Sequence, residues 1–222
     1  MDFRKILQIL TACLLASCTT SQLENNDTYA DEEDPYFGSF EVMAARMGVV
    51  LARPEHDTDQ VTFLLYDSFT HSIAIASYYD RDQTDPLTRG FLLVSIRDIQ
   101  SDVFEHQDGV TRGSYTFQIY ETVITADQFS KIREQASSAD FLAQPFSTRA
   151  PGVSPPPCLD GTTYAIGARL NGKNHVVERH NCDEGFSQAI ASAAPLIAAA
   201  KSAFPELENL LTEGESNIKS WD

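Results

Sequence analysis

TTYAIGARLNGKNHVVERH, from Thr162 to His180, is the stretch whose reading sets the fold class. Thr162 to Leu170 and Asn174 to His180 read as strands, and between them stands Asn171-Gly172, a dipeptide that accepts the positive φ angles of a type I′ turn. A connection that short joins only antiparallel neighbours, so the spacing predicts a hairpin and, with it, an antiparallel sheet.

The rest of the chain supplies partners for that hairpin. Val61, Phe63 and Leu65 alternate against Thr62, Leu64 and Tyr66, and the runs Ser72 to Tyr79 and Gly90 to Ile96 are rich in Ile, Val and aromatic residues. Ser114 to Ile124 sets Tyr115, Phe117 and Ile119 on one face against Thr116, Gln118 and Tyr120, as expected of a strand with one solvated side. Helices are expected at three places. From Ser39, a possible cap, Phe40, Met43, Met47 and Val50 or Leu51 recur at helical spacing until Pro54. Thr125 with Gln128 forms a capping box, Asp127 suits the positive end of the dipole, and Phe129, Ile132 and Ala136 make the apolar stripe, closed by Phe141 and Leu142. After Gly185 a stripe of Phe186, Ile190, Ala193, Ile197, Ala200 and Phe204 predicts a helix that Pro195 kinks or divides and Pro205 ends. Leu207, Leu210 and Leu211 add a last packed turn. Pro151, Pro155, Pro156 and Pro157 hold the intervening segment extended as a surface crossing. The class expected is α+β, a mostly antiparallel sheet with helices packed on one face and one disulfide-stapled hairpin.

The beginning of the chain carries an address. Arg4 and Lys5 precede the apolar tract Ile6 to Ala16, which has the length of a secretory h-region and falls short of the roughly 20 residues that cross a bilayer as a helix. Leu15-Ala16-Ser17-Cys18 closes it and resembles the lipobox of bacterial lipoprotein precursors. The resemblance covers only about the first twenty residues. It implies cleavage before Cys18, a diacylglyceryl thioether on its sulfur and an acyl group on its new amine. Because one acyl chain holds a protein only marginally, two or three are what make such an anchor stable. Cys13, behind Leu10, Thr11 and Ala12, is a weaker second site. Thr19 stands where the family's inner-membrane retention signal has Asp, which implies transfer to the inner leaflet of the outer membrane, facing the periplasm.

Residues 1–17 are thus expected to be a signal peptide, 18–38 an acidic disordered tether marked by Asn25, Asn26, Asp27 and the run Asp31 to Asp34, 39–212 one globular domain, and 213–222 a frayed tail holding Trp221. Glu24 to Thr28 also resembles the extended acceptor of bacterial N-glycosylation. The formal charge is −16, and removing Asp2, Arg4 and Lys5 makes it −17. That balance repels phosphate backbones and argues against nucleic acid as a partner.

Two cysteines fall in the domain, Cys158 and Cys182. In an exported chain they are expected to form a disulfide, although Cys182 lies opposite a residue near Gly161 or Thr163 and the Asp160-Gly161 turn must fold Cys158 back to meet it. A metal reading of His175, His180, Cys182, Asp183 and Glu184 meets the objection that residues five apart on a strand face opposite ways. A thiol nucleophile at Cys158 lacks a helix N-terminus to activate it. Asp80, Asp82, Thr84 and Asp85 begin like a calcium loop, but Asp85 stands at its glycine position and Phe91 at its bidentate glutamate. Neither a metal nor a cofactor is expected. The function these features predict is that of a lipid-anchored envelope protein, a non-enzymatic binding or structural module with an envelope protein as partner. The alternative is a periplasmic hydrolase acting on wall or small-molecule substrates, and it requires Asp160, His175, Asp183 or Glu184 to converge in a pocket.

Overall fold

A computed structural model describes residues 19–24, 35–49, 58–66, 71–84, 89–98, 103–107, 110–147, 162–180, 183 and 185–211. The four cysteines lie outside them, and with them the expected disulfide and the expected lipid site, as do Asp160, Glu184 and Asp85.

Among the described residues, eight strands form one antiparallel sheet: β1 (Thr19–Glu24), β2 (Thr58–Tyr66), β3 (His71–Asp80), β4 (Gly90–Asp98), β5 (Val103–Gln107), β6 (Val110–Val123), β7 (Thr163–Leu170) and β8 (Lys173–His180). Their order is β1-β6-β4-β3-β2-β7-β8, with β5 also on β6. The helices are α1 (Pro35–Arg46), α2 (Ala126–Ala136), α3 (Ala139–Leu142) and α4 (Phe186–Ala203). The hairpin stands where the sequence put it, β7 pairing β8 from Thr163↔His180 to Leu170↔Lys173. Asn171 and Gly172 take φ of 52° and 73°, as a type I′ turn demands.

Helices cover both faces of the sheet, not one. Cross-strand partners point the same way, so each face can be followed from strand to strand. Val61, Phe63, Leu65, Ile73, Ile75, Leu92, Val94 and Ile166 lie under α2, α3 and α4, where Phe129, Ile132, Phe141, Ala193 and Leu196 meet them. The opposite positions, Leu64, Ala74, Ala76, Ala165 and Val176, are buried beneath Phe40 and Ala44 of α1 and Met47 just after it. The cause lies in side-chain size: alanines and Gly167 in the middle of the sheet leave a shallow bed that a helix can enter closely. A Cβ at position 167 would overlap the Phe40 ring, so this strand glycine marks close approach of a neighbour.

Three boundaries differ from expectation. Thr19–Glu24, expected to be tether, pairs with β6 from Thr19↔Ile119 to Glu24↔Ser114, since an edge strand needs backbone groups more than apolar side chains. The first helix begins at Pro35 rather than Ser39, and it stops well before Pro54. Gly48, with φ of 74°, ends it in a Schellman motif in which Val49 N donates to Ala44 O at 2.9 Å and Gly48 N to Ala45 O at 3.0 Å. Lastly, of the two outcomes expected at Pro195, a kink or a division, the division does not occur: α4 is continuous, and Ala189 and Ala193 before the proline and Leu196 and Ala200 after it are buried on the same side. That packing offsets the roughly 3 kcal/mol an interior proline costs.

The capping box of α2 is present in both halves: Gln128 N donates to Thr125 Oγ1 at 3.2 Å, and Thr125 N to Gln128 Oε1 at 2.8 Å. Phe141 is fully buried, whereas Leu142, expected to pack beside it, is 50% exposed.

Gly167→Ala is expected to destabilise the domain by about 1–3 kcal/mol through overpacking. Phe40→Leu in the same chain should return part of that loss, a non-additivity readable from urea midpoints. Additive losses would mean that the two residues do not meet.

Candidate functional site

Antiparallel register brings polar side chains into one row at the end of the α1 face. Arg97 of β4 lies opposite Ser72 of β3, Ser72 opposite Tyr66 of β2, Tyr66 opposite Thr163 of β7, and Thr163 opposite His180 of β8. Neighbouring strands are about 4.8 Å apart, so the row spans four such steps with Tyr66 at its centre. Ser72 is buried and the other four are half-buried. One step inward, Ser95, Ala74, Leu64, Ala165 and Glu178 form the next row. The row lies past the last turn of α1, where Arg97 Nη1 donates to the Arg46 carbonyl at 3.3 Å and sets a cation against the negative end of the helix.

Tyr66 Oη is buried and has no hydrogen-bond partner. Leaving such a group unpaired costs about 1–3 kcal/mol, so its place at the centre of a polar row calls for an explanation. Burial first, and the Glu178 carboxylate second, push the hydroxyl well above the usual tyrosine range, against the pull of Arg46 and Arg97. It therefore remains a neutral donor at every physiological pH. Tyr78, on the same face, is raised by burial and by Glu121.

A second polar cluster ties the opposite end of the sheet together on the other face. Asp59, 1% exposed, accepts the Asn171 backbone N–H at 2.8 Å and lies 3.4 Å from Arg133 Nε and 3.8 Å from Arg81 Nε. Asn171 Oδ1 in turn accepts from Arg81 Nη1 and Arg133 Nη2, both at 2.9 Å. The turn residue thus joins β2, the end of β3 and α2 through its side chain. The sequence assigns Asn171 to the turn alone, and nothing local in it signals the two arginines. Beside this knot, Arg89 donates to Tyr79 Oη at 3.3 Å, and Tyr79 stacks on Phe129 at 4.8 Å.

Arg179 is a further buried charge. It is 2% exposed, and its guanidinium holds the carbonyls of Pro145, Phe146 and Glu178 at 2.6–3.0 Å. Glu178 N also donates to Phe146 O, at 2.7 Å. These bonds strap the chain after α3 across the outer edge of β8, where a bare strand would otherwise offer its backbone groups.

The residues singled out from the sequence separate. His175 faces the α4 side, its Nε2 3.0 Å from Phe141 O and its ring edge-on to Phe141. His180 faces the other side, and its N–H donates to Asp183 Oδ2 at 2.7 Å. Among the described residues no set of three His, Cys, Asp or Glu side chains converges as metal ligands. Asp80 Oδ1 accepts from Asp82 N at 2.9 Å and Gln83 N at 3.3 Å, the self-capped turn of a polar loop. An apolar cleft of about 280 Å³ opens between α4 and the sheet, lined by Phe63, Tyr164, Ile190, Ile197, Lys201 and Leu211 among others. Lys201, the charged residue among these, is paired with Glu208 at 3.1 Å.

No family model, curated protein or solved structure matches the chain.

Asp59→Ala should lower stability by about 1–2 kcal/mol, mostly through loss of the acceptor for Asn171 N–H, since the half-exposed Arg81 and Arg133 are screened by solvent. Arg133→Ala alone should cost less than 1 kcal/mol, and denaturant titration separates the two cases. Tyr66 and Tyr78 together fix a pH dependence. Both raised hydroxyls stay protonated in the fold after the unfolded chain begins to lose its protons near pH 10. Stability is thus intact below pH 10 and falls above it, by about 1.4 kcal/mol per pH unit for each such tyrosine. The double variant Tyr66→Phe, Tyr78→Phe should show a flatter decline between pH 10 and 11. An equal slope would refute the burial of those hydroxyls.

Proposed function

We propose that this protein is a lipid-anchored component of a bacterial cell envelope, and that its domain binds a protein partner rather than catalysing a reaction. The observation that carries the anchor is the run Leu15-Ala16-Ser17-Cys18 behind a short apolar tract and two cations. Support for a binding surface comes from the α1 face, where Phe91 and Val123 stand directly opposite each other on β4 and β6 and remain 42% and 46% exposed. Tyr78, the neighbour of Phe91 on β3, and Leu93, two residues along β4, extend the apolar surface. An exposed aromatic and a branched aliphatic held on a rigid sheet are suited to contact with another protein. Strand β1 begins at Thr19, the residue after the proposed lipid site. Pairing with β6 therefore ties the anchor to the sheet edge, and the acidic segment between β1 and α1 links two parts of the domain. A disulfide between Cys158 and Cys182 belongs to this reading as a staple near the β7–β8 hairpin.

Cys18→Ser should leave the precursor uncleaved, because serine has no thiol to receive the lipid. Mature protein of unchanged mass in the membrane fraction would overturn the anchor. A photo-crosslinker placed at position 91 in intact cells should give one discrete adduct, whereas the same group at position 142, an exposed apolar site on another element, should not. The absence of an adduct at 91 would sink the binding surface.

A further inference from the structure

We infer that the edge of β6 at Glu121 and Val123 takes up an extended strand of the partner protein, running antiparallel, with an apolar residue opposite Val123 and a lysine or arginine opposite Glu121. The inference deepens the binding-module reading, on which it rests, by naming what docks at the corner of Phe91 and Val123.

The backbone points to a strand. Ile124 N donates to Gly90 O at 3.1 Å, so Ile124 turns its backbone groups toward β4. These groups alternate sides along a strand, and Thr122 and Tyr120, opposite Leu92 and Val94, therefore bond to β4 as well. Glu121 and Val123 turn theirs the other way. On that outer side β6 is paired by β1, but only from Ser114 to Ile119, because β1 begins at Thr19. The amides and carbonyls of Glu121 and Val123 lie past that point, with no strand beside them among the described residues. Both side chains are exposed, as expected of an open edge. The far margin of the sheet is treated differently, since the chain after α3 bonds across β8 through Glu178 N and the Arg179 guanidinium.

The register also accounts for the gap. Continued by two and four residues, the pairing Thr19↔Ile119 would set Ser17 opposite Glu121 and Leu15 opposite Val123. Both precede the proposed cleavage before Cys18, so maturation takes away the segment that stands in register with this edge.

Side chains set the specificity. Cross-strand neighbours share a face, so a residue placed opposite Val123 continues the row Val123, Phe91, Tyr78 on the α1 side. An isoleucine, valine or aromatic residue there removes exposed apolar surface of Val123 and Phe91 from water. Two residues along, on the same face, the incoming strand meets Glu121, an exposed carboxylate without a cationic partner among the described residues. An opposite charge directly across stabilises such a pair and a like charge opposes it. In a chain of net charge −16 the same carboxylate disfavours a second copy as occupant. The antiparallel direction continues the pairing of the whole sheet. Read from its N-terminus, the recognised segment is therefore apolar, any residue, cation. Strand addition of this kind takes affinity from the backbone and selectivity from alternate side chains.

The test uses the mature chain, residues 18–222, and a synthetic pentapeptide Thr-Ile-Thr-Lys-Thr with acetylated and amidated ends. In the chain alone, the amides of Glu121 and Val123 should exchange with deuterium about a hundredfold faster than those of Tyr120 and Thr122. Protection of Glu121 and Val123 at every concentration would mean that the chain covers its own edge, and protection only at high concentration that a second copy does. Either overturns the proposal. Added peptide should shift the Glu121 and Val123 amide signals saturably and slow their exchange. N-methylation of the peptide's lysine, whose amide faces β6, should cost about tenfold in affinity. The same change at the middle threonine, whose amide faces away, should leave it unaltered. Glu121→Lys, an exposed substitution, should weaken the lysine peptide about threefold and reverse the preference toward Thr-Ile-Thr-Glu-Thr. No saturable shift, or an equal loss from both methylations, would overturn the strand. An adduct at position 91 without peptide binding would leave the binding surface standing and refute its occupant. Peptide binding without an adduct would refute the partner in the cell and leave the edge as described.

Discussion

Because every residue from Asp59 to Leu65 is buried, strand β2 can exist only with a packed layer on each side of it. Burying both faces of one strand multiplies the apolar area removed from water, at about 25 cal/mol per Å², but it also withdraws Asp59, Gln60 and Thr62 from solvent. Each of these polar groups is met inside the fold. Gln60 donates to Thr62 at 3.1 Å, and Asp59 collects the hairpin tip and two arginines. The second helical layer follows from the same constraint. Without α1 over Leu64, Ala74 and Ala165, the central strands would present a dry surface to water.

Where that second layer ends, the polar row begins. Gly48 ends α1, and along the strands the residues change from Ala74, Leu64 and Ala165 to Ser72, Tyr66 and Thr163. The same side of one sheet therefore holds three surfaces: a dry bed under Phe40, a polar end around Tyr66, and an exposed apolar corner at Phe91 and Val123. On the opposite side, α2 and α4 close the sheet, and the carboxylate buried there, Asp59, faces Arg81 and Arg133.

Legibility in the sequence followed range. The β7–β8 hairpin and the Thr125–Gln128 capping box could be read because each is decided by two residues and their immediate neighbours. Thr19–Glu24 could not, as its pairing depends on a strand far along the chain and its composition is that of a linker. The helix over the second face was legible as a helix but not in its position, since Ala74, Ala76 and Gly167 signal close approach only once their neighbours are known. Pro54 drew attention as a helix terminator while Gly48, nearer and conformationally suited, did the work. Of the functional geometry, Tyr66, Thr163 and His180 carry no common motif. They belong to three separate strands, and register alone assembles them. His175 and Asp183, which a motif search favours, are turned to structural uses at Phe141 and His180.

The bond between Asn171 and Asp59 joins positions 112 residues apart, which sets an order on assembly. The Asn171-Gly172 hairpin is local and forms on the microsecond scale, whereas the central strand gains its second neighbour only when that hairpin docks. Until then one edge of β2 is unsatisfied and the Asp59 carboxylate has neither Asn171 nor a settled α2 beside it. Topologies dominated by such distant pairings fold slowly. In a chain delivered from its N-terminus, the sheet therefore waits for the last third of the polypeptide, and the interval before β7 and β8 arrive is when an exposed β2 edge is open to pairing with the wrong strand.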